Sequence, residues 1–357
     1  MIIIGVDAHK AQHAAVAINE AGRELARWTG PNSPEGWAEV RAWAAAQART
    51  SGTARQWGVE GAGHYGRGLA QFLLVAGEVV YDINPRWTAA QRRHARRPGK
   101  NDRLDAQAVA QIVWREGATL PPLQAEDETA VLELLVEERD AAQAEATRLR
   151  NQLHALLLQL DPQYKQHLPA LTSAAGLAAL ATYQTPDPGV LQQERAAAVR
   201  RLAQRLRLAT SQAEEVARQI RTRARAGFSP LTALTGVDWL TAGSLAGILG
   251  CGQRFPTEAH LAAYAGVAPL EASSAGHLRH RLNRGGNRRL NAIVYRIAIT
   301  QARCYPPAQA YIARRLSDGK TKREALRALK RYIIRAIWRL WLTCLDLQQT
   351  SSSLQAA

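Results

Sequence analysis

The opening stretch MIIIGVDAHK constrains this chain more than any other. Ile2, Ile3, Ile4 and Val6 have the β-branched density of a buried strand. The run closes on Asp7, a carboxylate that is costly to hold in an apolar setting unless something positive meets it. Any fold must bury the run and also supply a partner for its last acid. The next segments keep a short period. "QHAAVAIN" and "ELARWT" have strand composition, with turns at His9-Lys10 and Ala21-Gly22. "SPEGWAEVRAWAAAQAR" predicts a helix capped by Ser33 with Pro34 at its first position. "RQWGVEGA" is a fourth strand, "HYGRGLAQFLLVAG" a helix ending at Gly77, and "EVVYDINP" a fifth strand stopped by Pro85.

Three strands, a helix, a strand, a helix and a strand is the order of a ribonuclease-H-like mixed sheet, so the first part is expected to be an α/β domain. Asp7 then ends the first strand and Glu60 the fourth. At 357 residues the chain exceeds one typical domain. Its net charge of +16 argues for a polyanionic partner, nucleic acid ahead of an anionic membrane surface. No apolar run approaches the roughly 20 residues of a spanning helix, and Asp7 and His9 break the first apolar run too early for a signal peptide. Cys251, Cys304 and Cys344 are far apart and odd in number, which fits a reducing cytoplasm, with no disulfide framework or zinc site. They are expected to be small buried hydrophobes.

After Pro85 the composition turns basic, in "RWTAAQRRHARRPGKNDRLDAQAVAQIVWREG". Pro98-Gly99 is a break, and Asn101 or Asp102 can cap the helix that follows. Asp102 and Asp105 are three apart and share a helix face. Alone, the pair is better read as a cap plus a solvated first-turn carboxylate favoured by the helix dipole. Together with Asp7 and Glu60 it makes four acids at two strand ends and a helix start. Two-metal phosphodiester chemistry asks for such a cluster, with carboxylates around ions about 4 Å apart, and magnesium is held mainly by carboxylates, water and phosphate. Arg92, Arg93, Arg96, Arg97 and Arg103 would offset the repulsion and grip the substrate backbone.

Residues 126 to about 226 carry apolar residues at helical spacing, first in "EDETAVLELLVEERDAAQAEATRLRNQLHALLLQLDP" and again from about Pro188 to Gly227. Two long helices around a segment with Pro169, Pro186 and Pro188 predict an antiparallel, coiled-coil-like arm, suited to self-association or to packing on the rest of the chain. "LTALTGVDWLTAGSLAGILGCGQRF" has the pattern of a helix–hairpin–helix, or of an ordinary helical hairpin, with a helix starting near Thr241. Then comes "AYAGVAPLEASSAGHLRHRLNRGGNRRLNAIVYRIAITQAR", a Ser-Ser-Ala-Gly turn set against Arg279, Arg281, Arg284, Arg288, Arg289 and Arg296. Serines in turns commonly bond only locally, but a serine among arginines is also the setting for attack on phosphorus. The last basic helix, "KREALRALKRYIIRAIWRLWLTCLDL", either lines nucleic acid or packs its apolar face.

"IGVDAHK", "WGVEGAG", "KNDRLDA" and "GVAPLEASSAGHLRHRLNRGGNRRLN" resemble, in order, the DEDD transposases of bacterial insertion sequences. That group is related to the Piv/MooV DNA invertases and is described as bridge-RNA-guided recombinases. The resemblance spans nearly the whole chain. It implies a RuvC-like domain over 1–120, a helical arm over 121–228 and a C-terminal transposase domain over 229–357. It implies that Asp7, Glu60, Asp102 and Asp105 form the magnesium site and that a serine is the nucleophile. Members commonly write Ser-Ser-Gly or Ser-Thr-Gly here, which assigns Ser273; Ala275 stands where that glycine is usual, leaving Ser274 as the alternative. The expected partners are DNA, a structured guide RNA and further copies of the chain, with no membrane.

Three other classes compete. A metal-dependent nuclease of the junction-resolvase type accounts for the first 115 residues and leaves the serines idle. A sugar-kinase or actin-like ATPase also ends its first strand in glycine and aspartate, but needs small and hydroxyl residues where "DAHKAQH" has bulky ones. A nonenzymatic nucleic-acid scaffold requires that the carboxylates fail to converge.

Overall fold

The computed structural model describes residues 1–51, 54–88, 102–251, 254–271, 280–283 and 285–356. The chain divides into two compact units, Met1–Glu126 and Asp127–Ala357. The first is built on β1 (Ile2–Ala8), β2 (Gln12–Ile18), β3 (Glu24–Pro31), α1 (Pro34–Ser51), β4 (Arg55–Glu60), α2 (Arg67–Val75), β5 (Val79–Ile83) and α3 (Asp102–Glu116). The five strands form one sheet in the order β3-β2-β1-β4-β5. β1, β2 and β3 run antiparallel as a meander, while β4 and β5 join parallel to β1. This is the ribonuclease-H-like mixed sheet expected from the sequence.

The β-branched run becomes the central strand because it has two faces to bury. Ile2, Ile4 and Val6 pack with Val40, Leu69 and Leu73 beneath α1 and α2. Ile3 packs on the opposite face with Val16, Ile83 and the Ala106, Val109 and Val113 side of α3. Side chains alternate along a strand, so a run buried on both sides shows no polar alternation. The edge strand β3, by contrast, alternates between half-buried and exposed residues. Glu78, just ahead of β5, receives Arg55 Nη2 at 2.6 Å and Trp57 Nε1 at 3.0 Å, tying β4 to β5 at their N-terminal ends. Burial alone would raise its carboxyl pKa, but these bonds and the Arg55 charge prevail and lower it.

The second unit is mostly helical. α4 (Glu128–Leu160), α5 (Tyr164–His167), α6 (Ala174–Ala181) and α7 (Val190–Gly227) lead through a 3-10 turn, Ser229–Ala233, to α8 (Trp239–Leu249) and α9 (Glu258–Tyr264). A two-residue ladder, β6 (Leu270–Glu271) with β7 (His280–Arg281), precedes α10 (Arg288–Cys304), α11 (Pro306–Ser317) and α12 (Lys322–Ala356). α4 and α7 lie antiparallel, since Arg223 reaches Glu128 at 2.8 Å and Arg205 reaches Glu145 at 3.2 Å. Leu149, Leu153 and Leu157 of α4 meet Val199, Ala203 and Leu206 of α7 in one apolar cluster, closed by Tyr164 and Leu180. A second, larger core gathers Leu132, Ile220, Leu245, Val294, Ile334 and Trp341.

Two expectations are corrected here. The turn before α8 is preceded by a 3-10 turn, not an α-helix, and Gly236 takes φ +92° within it. Of the cysteines only Cys344 is buried, with its thiol pushed up to about 11 by burial; Cys251 is half-buried, and Cys304 is exposed near the C-terminus of α10. No helix among the described residues is long and apolar enough to cross a membrane.

Candidate active site

Each acid is placed by a different piece of local sequence. Asp7 and Glu60 end two neighbouring parallel strands, and the register makes them Cα partners. Adjacent strands lie about 4.8 Å apart, and paired residues of parallel strands project to the same side. Alternation from Ile3 and Gly5 puts both acids on the sheet face covered by α3. Asp105 stands on α3, one residue before Ala106.

Gly5 sets how close that helix comes. A Cβ there would lie 2.1 Å from the Ala106 carbonyl oxygen and 2.3 Å from the Ala110 nitrogen. Only a residue without a side chain lets the helix backbone cross β1 at this point. Gly58 on β4 plays the same part beneath Val109 and Val113. After Glu60 the chain leaves the sheet through Gly61 at φ +67°, a left-handed conformation that glycine adopts freely.

The surroundings are polar at the strand ends and dry beneath. Asp7 is 5% exposed and Asp105 4%. His9 Nε2 lies 3.2 Å from Asp7 Oδ2. The buried Thr88 hydroxyl stands 3.0 Å from Glu60 Oε1 and 2.9 Å from the Pro85 carbonyl oxygen. His13, across from Ala8 in the β1–β2 ladder, is fully buried, and burial lowers its pKa so that the ring is held neutral.

The acids are oxygen donors only, the set that hard divalent cations such as magnesium prefer. Two of them are buried carboxylates, which a cation would compensate. Asp102 opens α3 with its backbone, and its side chain lies outside the described residues. Among the described residues no three His, Cys, Asp or Glu side chains are drawn together as a ligand set.

The arginines divide. Arg103 pairs with Glu24 at 3.1 Å, and Arg289 with Glu137 at 2.9 Å. Arg281 on β7 and Arg288 at the start of α10 are exposed. Arg92, Arg93, Arg96, Arg97, Arg279 and Arg284, together with Ser273 and Ser274, lie outside the described residues. The ladder flanks the serine segment, pairing Leu270 with Arg281 and Glu271 with His280. Sequence reasoning did not find His9, Thr88 or Gly5. A glycine two residues before the strand-end acid, on the same face, was the available signal for Gly5; Thr88 is 28 positions from Glu60 and gave none.

A family model described as "Transposase", for the DEDD-type region, matches residues 4–162. A second, "Transposase IS116/IS110/IS902 family", matches residues 229–313. "Insertion element IS110 uncharacterized 43.6 kDa protein" of Streptomyces coelicolor is 30% identical over 286 residues, covering 67% of this chain and 70% of the relative. "Transposase for insertion sequence element IS1328" of Yersinia enterocolitica is 25% identical over 254 residues, 70% of this chain and 71% of its own. "Insertion element IS900 uncharacterized 42 kDa protein" of Mycobacterium paratuberculosis is 26% identical, with 94% of both chains covered. Among solved structures, Thermus thermophilus RuvC in complex with a Holliday junction substrate, and a second Thermus thermophilus RuvC structure, match 34% of this chain at 17% and 18% identity, covering 99% and 100% of their own chains, with a TM-score of 0.27.

Proposed function

Because the chain belongs to the IS110 family of transposases and is a DNA transposase, we propose that it cuts and rejoins DNA strands with two groups of residues. One is the acidic set Asp7, Glu60, Asp102 and Asp105, and the other is a serine, Ser273. The observation that carries this reading is the parallel register of Asp7 and Glu60 beneath the helix that bears Asp105.

The four acids would hold divalent cations, magnesium by their donor chemistry, and the bound metal would supply Lewis-acid stabilisation of charge on the reacting oxygens. The chain's own residues do the rest. Buried Asp7 and Asp105 provide negative charge in a setting largely closed to water, and His9 at 3.2 Å and Thr88 at 3.0 Å orient Asp7 and Glu60. The Ser273 oxygen forms a bond to phosphorus as one deoxyribose oxygen leaves. The serine gives up its proton, and the released oxygen takes one up. Reversal with a different strand end restores the serine and joins the DNA, so the ester bond energy is conserved. Arg281 and Arg288 are exposed close in sequence to the serines and suit the phosphate being attacked.

Three further parts complete the proposal. The antiparallel α4–α7 pair acts as a coiled-coil arm that joins copies of the chain. The turn at Gly236, entered from a 3-10 turn instead of a helix, offers backbone N–H groups to a phosphate. A structured RNA specifies the DNA by base pairing, a reading supported by the excess positive charge, which suits either nucleic acid.

The test uses the chain purified with its own bound nucleic acid, sequenced to supply the matching DNA. Wild type should form a denaturation-resistant protein–DNA adduct, and Asp7→Asn should lose cleavage while keeping binding. Loss of the adduct in Ser273→Ala alone supports the assignment, and loss in Ser274→Ala alone moves the role one residue on. Full strand exchange by the double variant, or free ends with no adduct in wild type, would replace this mechanism with a metal-dependent nuclease.

A further inference from the structure

A cavity of about 450 Å³ in the second unit opens beside the β6–β7 ladder. Val267, Pro269 and Leu282, which flank the two strands, make one wall, and Arg327, Ala328 and Lys330 of α12 make the other. Lys330 is 8% exposed, and its Nζ donates to Asn291 Oδ1 at 2.7 Å. Asn291 cannot turn away, because its Nδ2 is spent on the Ala265 carbonyl oxygen at 2.8 Å. Among the described residues Lys330 has no carboxylate partner, whereas Arg331 beside it is engaged by Glu258 at 3.7 Å. A buried ammonium whose neighbours are an amide and the Tyr295 ring, 6.0 Å away, but no carboxylate among the described residues, is expensive. Burial and the nearby Arg327 both lower its pKa, as expected for a cation short of counter-charge.

We propose that this cavity binds one nucleotide of the DNA strand, its phosphate on Lys330 and Arg327 and its base against Val267, Pro269 and Leu282. An anion supplies the charge that Lys330 lacks, and the volume and apolar walls are those of a small-molecule site rather than of a bare ion. The site also reads no sequence. Asn283 donates to the Ala263 carbonyl oxygen at 3.3 Å and accepts from Gly285 N at 2.9 Å, and Asn291 holds Lys330 with its oxygen and the Ala265 carbonyl oxygen with its nitrogen, so each lining amide is already engaged at both ends. What is left for a base is apolar contact, which every base satisfies. The inference rests on reading the chain as acting on DNA, yet it is tested without strand cleavage.

Binding to the full chain is measured for 5′-dAMP, 5′-dTMP, thymidine, inorganic phosphate and short single-stranded d(A) and d(T) oligomers. Both mononucleotides should bind within about threefold of each other, and more tightly than thymidine or phosphate alone. Lys330→Met should weaken them about tenfold with little change in melting temperature, because the relief of removing a buried charge offsets the Asn291 oxygen left without its donor. Ala328→Phe, which fills the cavity from α12, should do the same. Oligomer binding that weakens in both variants supports a strand nucleotide; oligomer binding untouched while mononucleotides are lost overturns that source. Phosphate binding as tightly as dTMP overturns the base contact, and unchanged binding in both variants overturns the cavity itself. Nucleotide binding as expected with no strand joining by wild type would remove the functional reading and leave the cavity. Wild-type adduct yield from Lys330→Met with unchanged nucleotide binding would do the reverse.

Discussion

At the scale of single residues, the proposed site depends as much on a missing side chain as on the acids. Replacing Gly5 with alanine places a Cβ 2.1 Å from a backbone oxygen, and neither β1 nor α3 can yield without separating. Gly5→Ala should therefore cost about 2 kcal/mol or more by overpacking and also lower adduct yield, because Asp105 rides on the displaced helix. Gly61→Ala is the matched control. It strains a φ of +67° but meets nothing within 4 Å, so it should cost only about 1 kcal/mol and leave cleavage near wild type. Thermal unfolding alongside adduct yield checks both, and equal losses of activity would sink the distinction. The strand-end placement of Asp7 and Glu60 is legible in the sequence because a carboxylate closing an apolar run is conspicuous. His9 stands two residues past Asp7, where the sequence predicts a turn and the end of the apolar run but no contact with the acid. Thr88 depends on the chain returning to β4, which no local pattern announces.

At the scale of elements, length decided what could be read. α4 and α7 were expected between 126 and Pro162 and between Pro188 and Gly227, and they run over Glu128–Leu160 and Val190–Gly227. Many turns of apolar spacing outvote any one residue. The β6–β7 ladder has two residues per strand, too few for any period to show. The stretch before the turn at Gly236 is expected as a helix and is a five-residue 3-10 turn, Ser229–Ala233, too short for its period to be told from that of an α-helix. The α4–α7 pairing makes its own prediction. Leu153 is fully buried between Leu149 and Leu157 and faces the Val199–Leu206 side of α7. Leu153→Ala should cost about 3 kcal/mol. Amide exchange should quicken along that cluster while the core around Ile220 and Trp341 stays protected; uniform quickening throughout the unit would show that the two clusters are a single cooperative structure.

At the scale of the whole molecule, most of the excess positive charge lies after residue 126, with a second concentration between Arg92 and Arg103. Affinity for duplex DNA should fall steeply with salt, each neutralised phosphate adding a slope of roughly −0.9 in log affinity against log salt. Titration from low to physiological ionic strength measures it, and a flat response would argue against any polyanionic partner. The paired strand ends carry a consequence for how genes of this kind decay. Because side chains alternate, an in-frame loss of one codon within Ile2–Val6 or Arg55–Val59 would turn Asp7 or Glu60 to the other side of the sheet. The reading frame would survive, but the strand's core packing would shift with it. If the proposed acidic site is the working one, copies scattered through a genome can be sorted without an assay: length differences in the turns at 9–11 and 19–23 leave Asp7 and Glu60 in place, while a single-codon gap in either strand marks a copy that has stopped moving.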